Sequence, residues 1–516
     1  MTTDIAQRGR LYEAEPGTPL PPLDELPHVA TVSAPAAATI ITEYYDTDDL
    51  RLLKARIKLR RMADGPDESW LLRFPDSRKR TYPGAQRELR TPLGQPGDNV
   101  PEELARLLRA YTRGGSLRPV ARIETRRNRT TLLDSAGTPL AEVLADEVSA
   151  QTLGRSTTLT QWHEVEVDLE CGSRRLLRAA DELLRRGGLR PASQYGELER
   201  ALAGDLPRQR AGQDLEPGRQ ASAGTVVVGY AAGQAAKLMA LDAAVRADEP
   251  DSVHQMRVTT RRLRSTLQAF PQVLAKRETR HRRDELKWLS GVLGAARDAE
   301  VLSDYLETRA GGLPAELVIG PAQARLQAHF APVRAGARAA VSDVLESRRY
   351  FELLDDLDRL LDDPPLTPEA AAPAAEVLPA ALGKAYRRTR RRMRTALGTP
   401  AGPARDVALH EARKAAKRAR YAAEAVRPAF GKDARRFAKR MKAVQSVLGG
   451  HQDSVSARTV AREIGVRANL AGESSFTFGI LHRLVHQEGL DSQHEARRAW
   501  RRAKRGKTRK RLSHRA

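Results

Sequence analysis

With 516 residues, the chain is long enough for two or three domains with sizeable cores. Lys+Arg of 88 against Asp+Glu of 65 leaves a net charge of +23, which favours anionic partners such as nucleic acid, polyphosphate or an acidic membrane surface. The single cysteine, Cys171, excludes an intramolecular disulfide and a Cys-based zinc site, and no run of ~20 apolar residues offers a membrane span.

Aromatic residues make up 4% of the chain. Single-strand nucleic-acid binders stack bases on aromatic rings, so the composition tilts toward a partner without bases. The opening MTTDIAQRGR has no apolar signal-peptide core, and a cytoplasmic protein is expected. The Ala, Arg and Gly richness fits a bacterial proteome of high GC content.

In chain order, residues 1–205 are predicted to be β-rich with some helix. In ARIKLR, Arg56, Lys58 and Arg60 share one face at period two. In EVEVDL, Glu164, Glu166 and Asp168 share one face, and Val165, Val167 and Leu169 the other. Asp64-Gly65-Pro66 and Ala136-Gly137 are turn signals. Glu102–Tyr111 and Arg174–Arg186 have helical patterns. Residues 206–222, rich in Gly, Pro and polar side chains, are assigned as a linker. Residues 223–500 are predicted to be helical, with breaks near 312–321, 364–373 and 398–403. Residues 501–516 form a basic tail.

The helical half contains an internal repeat. VHQMRVTTRRLR from Val253 aligns with LHEARKAAKRAR from Leu409 at an offset of 156 residues. His254, Arg257, Arg261 and Arg264 meet His410, Arg413, Lys417 and Arg420. Downstream, LKWLSGVLGAARD aligns with MKAVQSVLGGHQD at an offset of 155, bringing Lys287 onto Lys442 and Asp298 onto Asp453. On a helix over Val253–Leu274, the His254/Arg257/Arg261/Arg264 set spans roughly 80°. Met256, Leu263, Leu267, Phe270 and Leu274 lie opposite. The second copy keeps an apolar face of Ala412, Ala416, Ala419, Ala423 and Val426.

Like charges at i,i+3 and i,i+4 repel, so a face without interspersed acids suggests an external anion. Arg suits phosphate because its planar fork donates two hydrogen bonds to phosphoryl oxygens. A row of such forks suits a chain of repeating anions. The alternative is a solvated face, or one paired with acids elsewhere in the bundle. His254 and His410 lack companions in metal-ligand spacing, and phosphate hydrogen bonding or helix capping is expected of them. Asp298 and Asp453 are expected to orient neighbouring arginines or to cap helices.

These signatures, with LGAARD and LGGHQD, resemble the CHAD family (conserved histidine α-helical domain) over about residues 222–500. The resemblance implies two four-helix bundles related by a pseudo-twofold axis around a basic groove, inorganic polyphosphate as partner, and association with polyphosphate granules. It carries over His254, Arg257, Arg261, Arg264 and Lys287 in the first copy. In the second it carries over His410, Arg413, Lys414, Lys417, Arg420, Lys439 and Lys442.

The N-terminal half is similar to the CYTH family of triphosphate-tunnel enzymes, through YYDTDDLRLLKARIKLRR, WLLRFP, LAEVLADEVSA and WHEVEVDLE. That similarity implies a closed antiparallel β tunnel, of α+β class, gripping a triphosphate and a divalent metal such as Mg²⁺. The family's opening Glu-x-Glu-x-Lys falls here on Gln7, Gly9 and Leu11, so all three functional groups are missing. Glu13 and Glu15 repeat the Glu-x-Glu spacing but are placed after the expected strand. The residual anion-binding lining is Arg56, Lys58, Arg60, Arg73, Arg87 and Arg126. The residual acids are Glu142, Asp146, Glu164 and Glu166, and no bound metal or other cofactor is expected. The resulting expectation is a non-catalytic polyphosphate binder. A metal-dependent triphosphatase or polyphosphatase, and a nucleic-acid-binding protein, are the alternatives.

Overall fold

The computed structural model describes residues 9–15, 17–62, 68–75, 86–93, 99–154, 157–192, 196–204 and 220–504. Gln7, the 64–66 turn, most of the assigned linker and residues 505–516 of the assigned tail lie outside them. The chain divides into two compact units, one ending and the other beginning at residues 211 and 212.

The N-terminal unit is a ten-stranded antiparallel sheet, comprising β1 (Gly9–Ala14), β2 (Thr31–Ser33), β3 (Ala38–Asp46), β4 (Lys58–Met62), β5 (Ser69–Pro75), β6 (Gln86–Pro92), β7 (Arg118–Leu133), β8 (Pro139–Thr152), β9 (Leu159–Leu169) and β10 (Arg190–Pro191). The path runs β10-β1-β9-β8-β7-β3-β4-β5-β6, with β2 paired to β7. Helices α1 (Arg51–Lys54), α2 (Glu102–Thr112), α3 (Arg174–Arg186) and α4 (Glu197–Ala201) complete it. The period-two pattern of β9 puts Val165, Val167 and Leu169 on α3, in one core with Val143, Leu176, Leu177 and Leu184. The other face carries Glu164, Glu166 and Asp168.

Helix α4 shows that the sheet is curled. In a flat sheet, β4 and β1 would stand about five strand spacings apart, roughly 24 Å. The five residues of α4 nevertheless reach both, since Lys58 Nζ on β4 donates to Glu199 at 2.7 Å and Arg200 lies 3.1 Å from Glu13 on β1.

Two sequence expectations change here. Glu13 lies within β1 and not beyond it, paired with Glu164. Arg56 is not part of β4; it sits in the preceding turn with φ +59, so the period-two face begins at Lys58.

The C-terminal unit is all helical in its described residues: α5 (Ala223–Arg246), α6 (Ser252–Ala269), α7 (Arg280–Gly311), α8 (Ala322–Glu346), α9 (Arg348–Asp362), α10 (Ala374–Gly398), α11 (Pro403–Ala425), α12 (Arg427–Leu470) and α13 (Phe476–Lys504). Helices α5–α8 pack in sequence, α10–α13 do the same, and α6 meets α11 as α7 meets α12. Like helices of the two repeats therefore face one another, as a pseudo-twofold axis requires. One core is built jointly, from Leu306 and Ala310 of α7, Leu326 and Phe330 of α8, Ala461 and Ile464 of α12, and Leu481 and Val485 of α13. Helix α9 lies against α5, α7 and α8.

Punctuation residues set the ends. Pro271 stops α6 after Ala269, short of the expected Leu274, because proline lacks the amide the helix needs. Leu274 stays buried beyond the turn, in an isolated bridge with Leu366. Pro403 opens α11 after Gly402, and Pro428 sits in the first turn of α12. Gly431, with φ +49, takes the kink of α12. Helix α13 continues through Lys504, so the start of the assigned tail is helical.

Candidate functional site

On α6 and α11 the apolar faces go where their periodicity points. Met256, Leu263 and Leu267 are buried, as are Ala412, Ala416, Ala419 and Ala423. The basic faces turn toward each other where the helices meet. Arg257 and Arg261 of α6 and Arg413 and Lys417 of α11 form one electrostatic neighbourhood with Asp298 of α7 and Asp453 of α12.

The parts are arranged symmetrically. The Arg257 guanidinium lies over Gly294 of α7, and the Arg413 guanidinium over the repeat-equivalent Gly449 of α12, each within 3.9 Å of where a Cβ would stand. Arg257 Nη1 donates to Asp298 at 2.9 Å, although the Asp298 side chain is 72% exposed. Asp453 lies near Arg413 and Arg257, yet burial pushes its carboxyl above the usual range. Both aspartates thus sit beside arginines of the cluster.

The cluster is short of negative charge. Burial, with Arg261, Arg413 and Arg257 nearby, pushes the Lys417 ammonium down to about 7 against the opposing pull of Asp298. Burial and the neighbouring cations also hold Arg261 below its ordinary value. Among the described residues, Arg257 Nε, Arg261 Nε, Arg413 Nε and His254 Nδ1 are buried with no hydrogen-bond partner. Buried polar atoms cost about 1–3 kcal/mol each when unmatched.

The histidines differ. His410 Nδ1 lies 2.6 Å from Gln452 Oε1, so Nδ1 carries hydrogen and Nε2 is left as acceptor in the neutral ring. The position matching Gln452 is Arg297, which pairs with Glu300, and its charge adds to the burial that lowers His254. Burial lowers His410 as well.

The remaining positions fall outside this centre. Arg264 lies one turn beyond Arg261, beside Arg418. Arg420, its repeat equivalent, pairs with Glu424 at 2.7 Å. Lys414 pairs with Glu411, while Lys287, Lys439 and Lys442 are exposed on α7 and α12. Two residues missed in the sequence belong to the region. Arg418 reads as a plain i+1 neighbour of Lys417. His451, in LGGHQD, is buried with Nε2 3.0 Å from Asp406 Oδ1 and Nδ1 3.2 Å from the Gly489 carbonyl oxygen. The substitution of Ala296 by His451 between the copies was the available signal.

On the concave face of the N-terminal sheet, the ladders bring Gly9, Leu11 and Glu13 opposite Asp168, Glu166 and Glu164. Arg127, not Arg126, is the β7 cation here. Its Nε and Nη2 donate to Asp146 at 2.9 and 2.6 Å. Arg126 is one residue out of phase, faces away and lies 4.0 Å from Glu147. Arg87 pairs in register with Phe74, out of phase with the Arg73↔Glu88 pair. Arg73 donates to Glu88, Arg60 hydrogen-bonds Tyr44, and Glu164 accepts from Trp162 Nε1 at 3.0 Å.

A divalent metal does not fit these residues. Asp146 is taken by Arg127, Glu164 by Trp162, and the Gly9 position has no carboxylate. A Cβ at Gly9 would stand 2.0 Å from Asp168 Oδ1, so Asp168 fills the space where an acid from β1 would project. Among the described residues, no group of three or more His, Cys, Asp or Glu side chains is placed to hold a metal ion. Burial and the nearby acids push Glu164 and Glu166 above the usual carboxylate range.

The chain matches the CHAD domain family over residues 229–462. It is 35% identical over 491 residues to the uncharacterized protein MT2285 of Mycobacterium tuberculosis, covering 92% of this chain and 91% of that one. Similar solved structures include PptA from Streptomyces chartreusis, with TM-score 0.47, 22% identity, and 54% and 99% of the two chains covered. Another is the CHAD domain from the plant Ricinus communis, with TM-score 0.45, 23% identity, and 56% and 95% covered.

Proposed function

We propose that this chain, which belongs to the CHAD domain family, binds inorganic polyphosphate along a basic groove where α6 meets α11, without catalysing a reaction on it. The observation that carries this reading is the Arg257/Arg261/Arg413/Lys417 cluster, in which three guanidinium Nε atoms are buried without acceptors among the described residues. A phosphate chain supplies acceptors at a repeating interval and suits planar forks better than a single small anion does. His254 and His410, at the start of each face, are proposed as further hydrogen-bonding groups to the anion, with Arg264, Lys287, Lys414, Lys439 and Lys442 extending the field. The N-terminal sheet is proposed as a triphosphate-tunnel scaffold whose metal site has been lost.

The test is isothermal titration with long-chain polyphosphate over a range of salt concentrations. Strong binding that weakens with salt is expected. Replacing Arg257, Arg261, Arg413 and Lys417 by Glu is expected to abolish it in protein whose circular dichroism is unchanged. Full affinity in that variant would sink the reading, as would displacement of polyphosphate by duplex DNA at equal phosphate concentration. No Mg²⁺- or Mn²⁺-dependent phosphate release is expected from triphosphate or polyphosphate. Release that is lost on changing Asp146, Glu164 and Glu166 to Ala would instead establish catalysis in the N-terminal half.

A further inference from the structure

The repeat makes Arg262 of α6 equivalent to Arg418 of α11, and Arg264 equivalent to Arg420. The central cluster therefore has two flanks that the backbone treats alike. Their charges are not alike. On one flank, Glu424 accepts from Arg262 Nε at 2.9 Å and from Arg420 Nε at 2.7 Å. The Tyr421 ring lies against both guanidinium groups, at 6.0 and 5.5 Å. Two forks are thus occupied by one carboxylate and one ring.

On the other flank, the position matching Glu424 is Gln268 and the position matching Tyr421 is Ser265. Gln268 cannot neutralise a guanidinium. Among the described residues, Arg264 and Arg418 have no ion pair. The acids that act on them are Asp284 and Glu411, and Lys414 already holds Glu411 at 2.7 Å. Helix α10 adds cations to the same flank, because Arg388 and Arg392 lie close enough to Arg418 to oppose its charge. They belong to the run RRTRRRMR over residues 387–394, most of which is exposed. The counterpart helix α5 carries only Lys237 and Arg246 as cations, and Arg246 is buried against Asp242 at 2.5 Å.

We propose that a linear polyphosphate held at the central cluster leaves it over one flank only, across Arg264 and Arg418 onto the Arg388–Arg392 face of α10, while Glu424 closes the opposite flank. This rests on the polyphosphate reading above and gives it a direction. The backbone is pseudo-symmetric, but the anion track is not. A carboxylate on the closed flank repels an incoming phosphate and occupies the two forks that would have received it. The open flank presents Arg264 and Arg418, which have no ion pair among the described residues, followed by Arg388 and Arg392 of α10.

Long-chain polyphosphate is titrated into the full chain and into three variants, with affinity and phosphate units bound per protein as readouts. Arg388→Gln/Arg392→Gln is expected to weaken binding about tenfold, as loss of two charge-assisted contacts implies, and to shorten the stretch occupied. Arg334→Gln/Arg338→Gln removes the same charge from α8, a helix that carries none of the proposed track residues, and is expected to leave affinity within about twofold. Glu424→Gln is expected to strengthen binding and to lengthen the occupied stretch. Equal losses in the α10 and α8 variants, or no response to either Glu424→Gln or the α10 change while the parent chain binds, would overturn the one-sided track and leave the polyphosphate reading intact. Absence of binding by the parent chain would remove the reading beneath it.

Discussion

Lys417 is a residue whose charge changes near neutrality. Its ammonium is held down to about 7 by burial and by Arg261, Arg413 and Arg257. An anion in the cluster stabilises the protonated form, so binding above pH 7 takes up a proton. Affinity for polyphosphate is expected to be level just below pH 7 and to fall as pH rises above it, by up to about tenfold per unit for one linked proton. The unbound fold responds with the opposite sign. The depressed lysine costs stability below pH 7, and that cost is relieved as pH rises toward its ordinary value. Titrations at pH 6.5 to 9 check this, with dextran sulfate as a second ligand whose charge is constant over that range. Lys417→Arg is expected to flatten the profile. A slope that survives in Lys417→Arg would assign the proton to another group. In the N-terminal unit, Asp146→Ala leaves Arg127 without its bidentate partner in a half-buried place. A loss of about 2 kcal/mol is expected, between the surface and buried ion-pair values, measured as a lowered thermal midpoint.

At the scale of the element, α6 and α11 show how two related helices solve one problem with different side chains. Helix α6 buries Met256, Leu263 and Leu267, whereas α11 buries an alanine stripe that brings its neighbours close. Ala419→Leu is expected to destabilise the helical unit by about 1–3 kcal/mol through overpacking, read from urea unfolding. These faces were legible in the sequence because a period near 3.6 separates apolar from basic residues and because the repeat supplies a second copy. Arg264 and Arg420 show the limit of that legibility. The repeat made them equivalent, while a single Glu424, four residues beyond Arg420, made them different. Period-two reading in the sheet was more fragile. Arg126 and Arg127 are adjacent, and choosing between them fixes the face; only the β7–β8 register, Arg127 opposite Asp146, decides it. Arg56 was misplaced because a turn residue with positive φ interrupts the alternation that begins at Lys58.

Over the whole molecule, the division into a sheet and a helical half was visible from composition and periodicity, because alternation at period two dominates the first half and a period near 3.6 the second. The concave side of the sheet was less visible, since its neutralisation depends on groups far apart in the chain. Glu199 reaches Lys58, Arg200 reaches Glu13, and Asp168 fills the space over Gly9. Sequence alone showed lost acids; the structure adds that Asp146 and Glu164, two of the survivors, already have partners in Arg127 and Trp162. The shared core of the helical half has a consequence for how this protein is made. Leu326 and Phe330 come from the first repeat and Ile464 and Val485 from the second, so neither repeat encloses a complete apolar interior. A chain cut between α9 and α10 should give two fragments that remain unfolded or aggregate when expressed singly, but assemble into one soluble particle when produced together. In that respect the two repeats are obligate subunits that share a single polypeptide.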